Sequence, residues 1–155
     1  MYIFYVGAKA LTFYNNKILL VLRDNFAYID EPNKWSLPGG GMENSETFEE
    51  TLKREFYEEL SVMPKHLLFL TEYNSPHTEP MALFIVTLNK NEFEHLKLGK
   101  EGQKFKFFSL EEVEKLDLVI GLKDLLSHQK YAFKKLFKKD YKYFVNTANL
   151  YLDKL

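Results

Sequence analysis

Cysteine is absent from the 155 residues, which removes disulfides, thiolate zinc sites and thiol nucleophiles together. An excess of charge is missing too. The 21 basic and 22 acidic side chains leave a net charge of −1, so bulk electrostatics gives no reason to expect a nucleic-acid partner. No apolar run is long enough to span a bilayer. The opening MYIFYVGAKALTFY lacks the basic n-region of a signal peptide and alternates as a strand does. Internal repeats, flexible linkers, a P-loop and a Ser-His-Asp arrangement are also lacking. What is left is one globular domain, expected in the cytoplasm, as a monomer or homodimer.

Hydrophobic periodicity gives a mixed α/β (α+β) pattern. IFYVGAKALTFY and KILLVLRD read as strands joined by a turn at Asn15-Asn16. A loop follows over about 25–33, then the short extended piece KWSLPGGG. A helix is expected from Glu46 to about Leu60, N-capped by Asn44 or Ser45 and stopped by Pro64. HLLFLTEYN, MALFIVTLN and KFKFFSL are further strands, and Ser109 opens the short helix LEEVEKL with a Ser-x-x-Glu capping box. From Ile120 onward the chain reads as helical, aromatic and basic.

The expected acidic helix poses the chemical question. Phe48, Leu52, Phe56 and Leu60 fall on one stripe at helical spacing, and Glu55 and Glu59 sit at its border. A helix needing only solubility would put its acids opposite the stripe, and like charges at i,i+4 oppose one another. A solvated face accounts for Glu49 and Glu50, but poorly for Glu55, Glu58 and Glu59. A divalent cation removes the conflict: hard ions such as Mg²⁺ take carboxylate and carbonyl oxygens and keep waters that phosphates can replace. The glycines before the helix let backbone approach a ligand closely.

The stretch LPGGGMENSETFEETLKREFYEELSV resembles the Nudix box, G-x5-E-x7-R-E-U-x-E-E-x-G-U, where U is a bulky apolar residue. Gly40, Glu46, Arg54, Glu55, Glu58, Glu59 and Val62 match at the right spacing, Phe56 takes the first apolar position, and Ser61 replaces the last glycine. NKWSLPGG and GKEGQKFKFFSLEEVEKL extend the likeness, the latter close to MutT-type members, over approximately Ile3 to Leu126. The resemblance implies an α/β/α sandwich with a mixed β-sheet in residues 1–126, with 127–155 as a helical extension packed on the same domain.

It also implies hydrolysis of a nucleoside diphosphate linked to another group, with Mg²⁺ (or Mn²⁺ in its place). Glu55, Glu58, Glu59, the Gly39 carbonyl and Glu101 would hold the metal. Glu55 or Glu101 would be the general base, and Arg54, helped by Glu46, would orient the loop. Arg23 is a candidate phosphate contact; Trp35, Tyr28 and Phe26 are candidates for stacking on a base. His77 and His128 read as surface or capping residues. The expected substrate is a small nucleotide, 8-oxo-dGTP among the candidates. RNA 5′-pyrophosphate removal is the alternative, since the tail interleaves lysines 130, 134, 135, 138, 139 and 142 with aromatics. A nucleotide-binding module without catalysis is a third reading, disfavoured by the intact glutamates. For the tail, an amphipathic helix with lysines on its wet side is the favoured reading.

Overall fold

The computed structural model describes residues 6–73 and 79–138. Strands β1 (Gly7–Tyr14), β2 (Lys17–Leu22), β3 (Trp35–Ser36), β4 (Gly39–Gly41), β5 (Leu67–Tyr73), β6 (Met81–Thr87) and β7 (Lys104–Phe108) form one mixed sheet. Its main path runs β3-β2-β1-β6-β5, with β4 paired to β1 and β7 to β2. Only the central β1–β6 pair is parallel among these pairings. The β1–β2 hairpin turns at Asn15 and Asn16, with φ of 48° and 59°, the left-handed pair that a two-residue hairpin needs and that Asn tolerates.

Both faces of the central strands are buried, which is why these strands read as nearly continuous apolar runs. Leu11 and Phe13 of β1, Ile18 and Leu20 of β2, and Leu83 and Ile85 of β6 face one core. Ala8, Ala10, Leu19, Val21, Ala82, Phe84 and Val86 face the other. Helix α1 (Phe48–Leu60) covers the second face with Leu52, Phe56 and Leu60. Helices α4 (Ile120–His128) and α5 (Lys130–Phe137) cover the first, with Leu122, Leu125, Leu126, Phe133 and Leu136. The short helices α2 (Lys90–Glu94) and α3 (Leu110–Val113) lie between strands. The result is the helix–sheet–helix sandwich expected from the sequence.

Several boundaries differ from expectation. Helix α1 begins two residues late, at Phe48, and its N-cap is Thr47 rather than Asn44 or Ser45. Asn44 has φ of 40°, in the left-handed region, whereas an N-cap needs extended backbone. Thr47 instead forms a full capping box with Glu50. The helix after Ser109 ends at Val113, short of Leu116. Helix α2 was not anticipated, although Asn89 and Glu92 carry the same reciprocal cap.

The expected division at Leu126 falls inside α4. Helix α5 buries Ala132, Phe133 and Leu136, and Phe137 meets Phe13 edge-on at 5.1 Å. Of the tail lysines, Lys130 pairs with Glu114 at 3.5 Å and Lys135 lies 5.4 Å from the Tyr131 ring centre. Lys139 and Lys142, like His77, lie outside the described residues. No helix of the described residues is long and apolar enough to cross a membrane.

Ser61, which stands where the box has glycine, closes α1 with φ of 62° and ψ of 17°. A non-glycine residue pays about 1–2 kcal/mol for that left-handed conformation, and Ser61 is exposed with no core contact to keep. Ser61→Gly is therefore expected to stabilise the protein by about 1 kcal/mol, or ~2–4 °C in Tm for a chain of this size. A thermal melt showing equal or lower stability would place the strain elsewhere.

Candidate active site

The glycine strand and the acidic helix meet through Arg54. Its Nε donates to Glu46 Oε1 at 2.6 Å and its Nη2 to Glu46 Oε2 at 3.0 Å, a bidentate pair. Nη2 also donates to the Gly41 carbonyl at 2.9 Å. Nη1 donates to Glu55 at 2.9 Å and to Glu58 at 3.4 Å. The hydrogen bonds from Arg54 hold Glu46 down at about 2, while these acids push the guanidinium further up from its ordinary value. Glu46 further accepts from the Glu43 amide and the Thr51 hydroxyl, so the turn entering α1 is fixed to the helix body.

Glu59, also on α1, holds the other end of the glycine strand. Its Oε2 accepts the Gly39 amide at 2.9 Å, yet desolvation pushes its carboxyl up to about 7, against the lowering influence of Lys9 and that amide. Desolvation raises Glu55 also, and Glu58 adds to the effect, while Arg54 opposes it. A Cβ at Gly40 would lie 2.6 Å from the Glu55 carboxyl carbon, so a side chain there would push the Glu55 carboxylate aside.

The Glu101 loop is tied down at both ends. The Lys97 and Gly99 amides donate to the Leu60 and Glu59 carbonyls at the end of α1. The Gly102 amide donates to Asp24, and the Gln103 side chain to the Arg23 carbonyl and to Asn33. Glu101 thereby lines a cleft of about 340 Å³ with Glu59, Lys9, Arg23, Phe26 and Tyr28. Phe26 and Tyr28 stack at 5.3 Å at its rim, Tyr28 being 83% exposed. Arg23 donates twice to the Asp30 carbonyl, at 3.1 and 2.8 Å, and so shapes the loop that carries them. Trp35 lies apart from this cleft, edge-on to Phe108 at 4.8 Å and packed against the core. His128 contacts the Asp124 carbonyl through Nδ1 on α4.

Among the described residues no three acids or histidines converge as a ready-made metal centre. The carboxylates are held by separate partners instead: Glu55 and Glu58 by Arg54, Glu59 by Gly39. The donor set nonetheless fits a hard divalent cation, being all oxygen, partly desolvated and rich in like charge. The Gly39 carbonyl already accepts the Lys9 ammonium at 2.9 Å. Lys9 escaped the sequence reading, although it shares the register of Leu11 and Phe13 on a central strand, where a lysine needs a reason.

Fold and site together define a helix–sheet–helix sandwich in which an acidic helix is clamped to a glycine strand. The NUDIX domain model matches residues 4–129, and the chain belongs to the Nudix family. The chain is similar to an ADP-ribose pyrophosphatase of Methanocaldococcus jannaschii, at 36% identity over 107 residues, covering 66% of this chain and 60% of that protein. It therefore spans less than two thirds of that relative's length. An Escherichia coli 8-oxo-dGTP diphosphatase is 34% identical over 98 residues, 62% of this chain and 72% of that one. Among solved structures, a MutT protein from Methanosarcina mazei Go1 shares the fold with a TM-score of 0.60 at 20% identity, covering 84% and 96% of the two chains.

The Glu59 shift has a sign that can be checked. Its folded value lies above the ordinary carboxylate value, so the folded state holds that proton more tightly than the unfolded chain. The resulting cost to stability is absent below about 4.5, the unfolded value, and grows until pH passes about 7. Metal-free Glu59→Gln should accordingly be more stable than the parent at pH 8, with the advantage shrinking at pH 5. Urea unfolding at both pH values reads this; an advantage that grows on acidification would contradict the desolvated carboxyl.

Proposed function

We propose that the chain is a Mg²⁺-dependent hydrolase of a phosphoanhydride bond in a nucleoside di- or triphosphate derivative, acting on small nucleotides in the cytoplasm. The observation that carries this reading is the Arg54 clamp, which sets Glu55 and Glu58 beside a glycine strand whose other end is held by Glu59. Glu55, Glu58 and Glu59 would hold the cation, with Glu101 approaching from the cleft that it lines together with Glu59. When bound, such ions neutralise phosphate charge and make a coordinated water more acidic. Mn²⁺ offers the same oxygen preference.

Hydrolysis forms one bond from a water oxygen to phosphorus and breaks one bridging P–O bond. The products are a nucleoside monophosphate and pyrophosphate or a phosphorylated second group. The water's proton has to reach a carboxylate. We assign that base to Glu101, because Glu55 is already engaged by Arg54 and the Glu101 loop is fixed against the end of α1. Arg23 lies in the same cleft, within reach of a phosphate, while the stacked Phe26 and Tyr28 offer an exposed face for a base. The names of the two relatives, ADP-ribose pyrophosphatase and 8-oxo-dGTP diphosphatase, fall within this substrate class.

Incubating the protein and Mg²⁺ with ADP-ribose, 8-oxo-dGTP and 5′-triphosphorylated RNA, and identifying the phosphate species released, tests the reading. Anhydride cleavage of a small nucleotide is expected; cleavage confined to the RNA would move the substrate to RNA ends, and no cleavage of any would end the hydrolase reading. Two variants test the roles. Glu58→Gln should lose more turnover than the ~10–100-fold typical of an outer-shell metal partner. Glu101→Gln should lower kcat with KM little changed, as expected of a group acting on the transition state. A loss confined to KM would make Glu101 a substrate contact instead.

A further inference from the structure

Helix α4 starts without a cap of its own. Val119 stands at its N-cap and makes no side-chain hydrogen bond there, so the first amides need acceptors from elsewhere. Glu31 supplies one from a distant loop: its Oε1 accepts the Ile120 amide at 2.6 Å. The backbone at Glu31 is strained. Its φ is 50°, in the left-handed region, and Pro32 follows, which favours extended backbone at the residue before it. Such a conformation persists only where the surroundings hold it, and it marks places with a functional constraint.

Glu31 belongs to the loop that carries Phe26 and Tyr28. The roots of that loop are fixed on the Glu101 side, where Asp24 accepts the Gly102 amide and Asn33 accepts from the Gln103 side chain. Arg23 donates to the Asp30 carbonyl within the loop, and Glu31 adds the link to α4. The loop thereby runs between two cavities. One is the cleft of Phe26, Tyr28 and Glu101; the other, of about 560 Å³, is lined by Glu31 with Leu122 and Leu125 of α4, and Arg23 lines both. Helix α4 is a firm anchor for such a link. The Trp35 amide donates to the Asp117 carbonyl and the Val119 amide to the Trp35 carbonyl, which ties the start of α4 to β3.

We propose that Glu31 is a positioning residue for nucleotide binding: by capping α4 it fixes the loop so that Arg23, Phe26 and Tyr28 meet the substrate in one arrangement. The inference rests on the nucleotide reading above. Without the Glu31 link the loop keeps its roots at Asp24 and Asn33 but samples more positions, and a substrate has to order it on binding. The loss then falls on binding and spares the carboxylates of α1.

The test breaks this hydrogen bond from either end in the full chain. Glu31→Ala removes the acceptor. Ile120→Pro removes the donor, and proline suits the first position of a helix; Val119 before it has a ψ of 149°, which a residue preceding proline adopts. Hydrogen exchange read by mass spectrometry follows residues 23–33 and the start of α4, and steady-state kinetics with Mg²⁺ uses ADP-ribose and 8-oxo-dGTP. Each variant is expected to raise KM about tenfold, the size of one hydrogen bond to a charged group, with kcat little changed. Exchange should quicken about tenfold in both segments. Glu31→Gln keeps an acceptor oxygen and should restore the parent's KM, while Glu31→Ala combined with Ile120→Pro should add nothing to either alone. Exchange that quickens only at α4, or an unchanged KM in the folded variants, would make Glu31 an ordinary helix cap and overturn the proposal. A parent that cleaves neither nucleotide would instead remove the substrate reading, and the exchange data would still decide whether Glu31 fixes the loop.

Discussion

The Arg54 guanidinium is the constraint on which the site depends. Four acidic or carbonyl partners converge on it: Glu46 twice, Glu55, Glu58 and the Gly41 carbonyl. Only a planar cation with several donors in a fixed fork can satisfy that set, so lysine would be no substitute. Remove it, and Glu55 and Glu58 face one another one turn of helix apart, with Lys9 left to oppose the charge of Glu55. The same hydrogen bonds fasten the glycine strand to α1, so electrostatics and backbone position are set by one side chain.

The sandwich explains how this arrangement is held. Leu52, Phe56 and Leu60 fix α1 on the sheet, and this places Glu55 and Glu59 where water is partly excluded. Desolvation then raises both carboxyls. A helix on a sheet can tolerate such acids because cations and amides reach them from the sheet side: Lys9 on β1, and the Gly39 amide on β4. The Glu101 loop completes the cleft by bonding to the carbonyls that α1 leaves unpaired at its end. Helix termination and site assembly therefore use the same atoms.

Much of this was legible in the sequence. Alternation and apolar runs placed the major strands, and the spacing of Gly40, Arg54, Glu55, Glu58 and Glu59 pointed to both the family and the acidic face. What escaped depended on backbone geometry or tertiary contact. Thr47 displaced Asn44 as the cap because the preceding turn puts Asn44 in a left-handed conformation. Trp35, an apparent stacking residue beside the loop, went to the core because its strand runs under Phe108. Lys9 was visible as a charge at a core-facing position, yet its partner Gly39 is 30 residues away and became evident only through the β1–β4 pairing.

The α1 carboxylates, organised by Arg54, are proposed to hold a divalent cation. The most direct measurement is anomalous diffraction at the manganese edge from crystals soaked in Mn²⁺. A peak is expected against the Glu55, Glu58 and Glu59 carboxylates, facing the cleft that Glu101 lines. A well-diffracting soaked crystal with no peak there, or with manganese only at acids remote from α1, would contradict it.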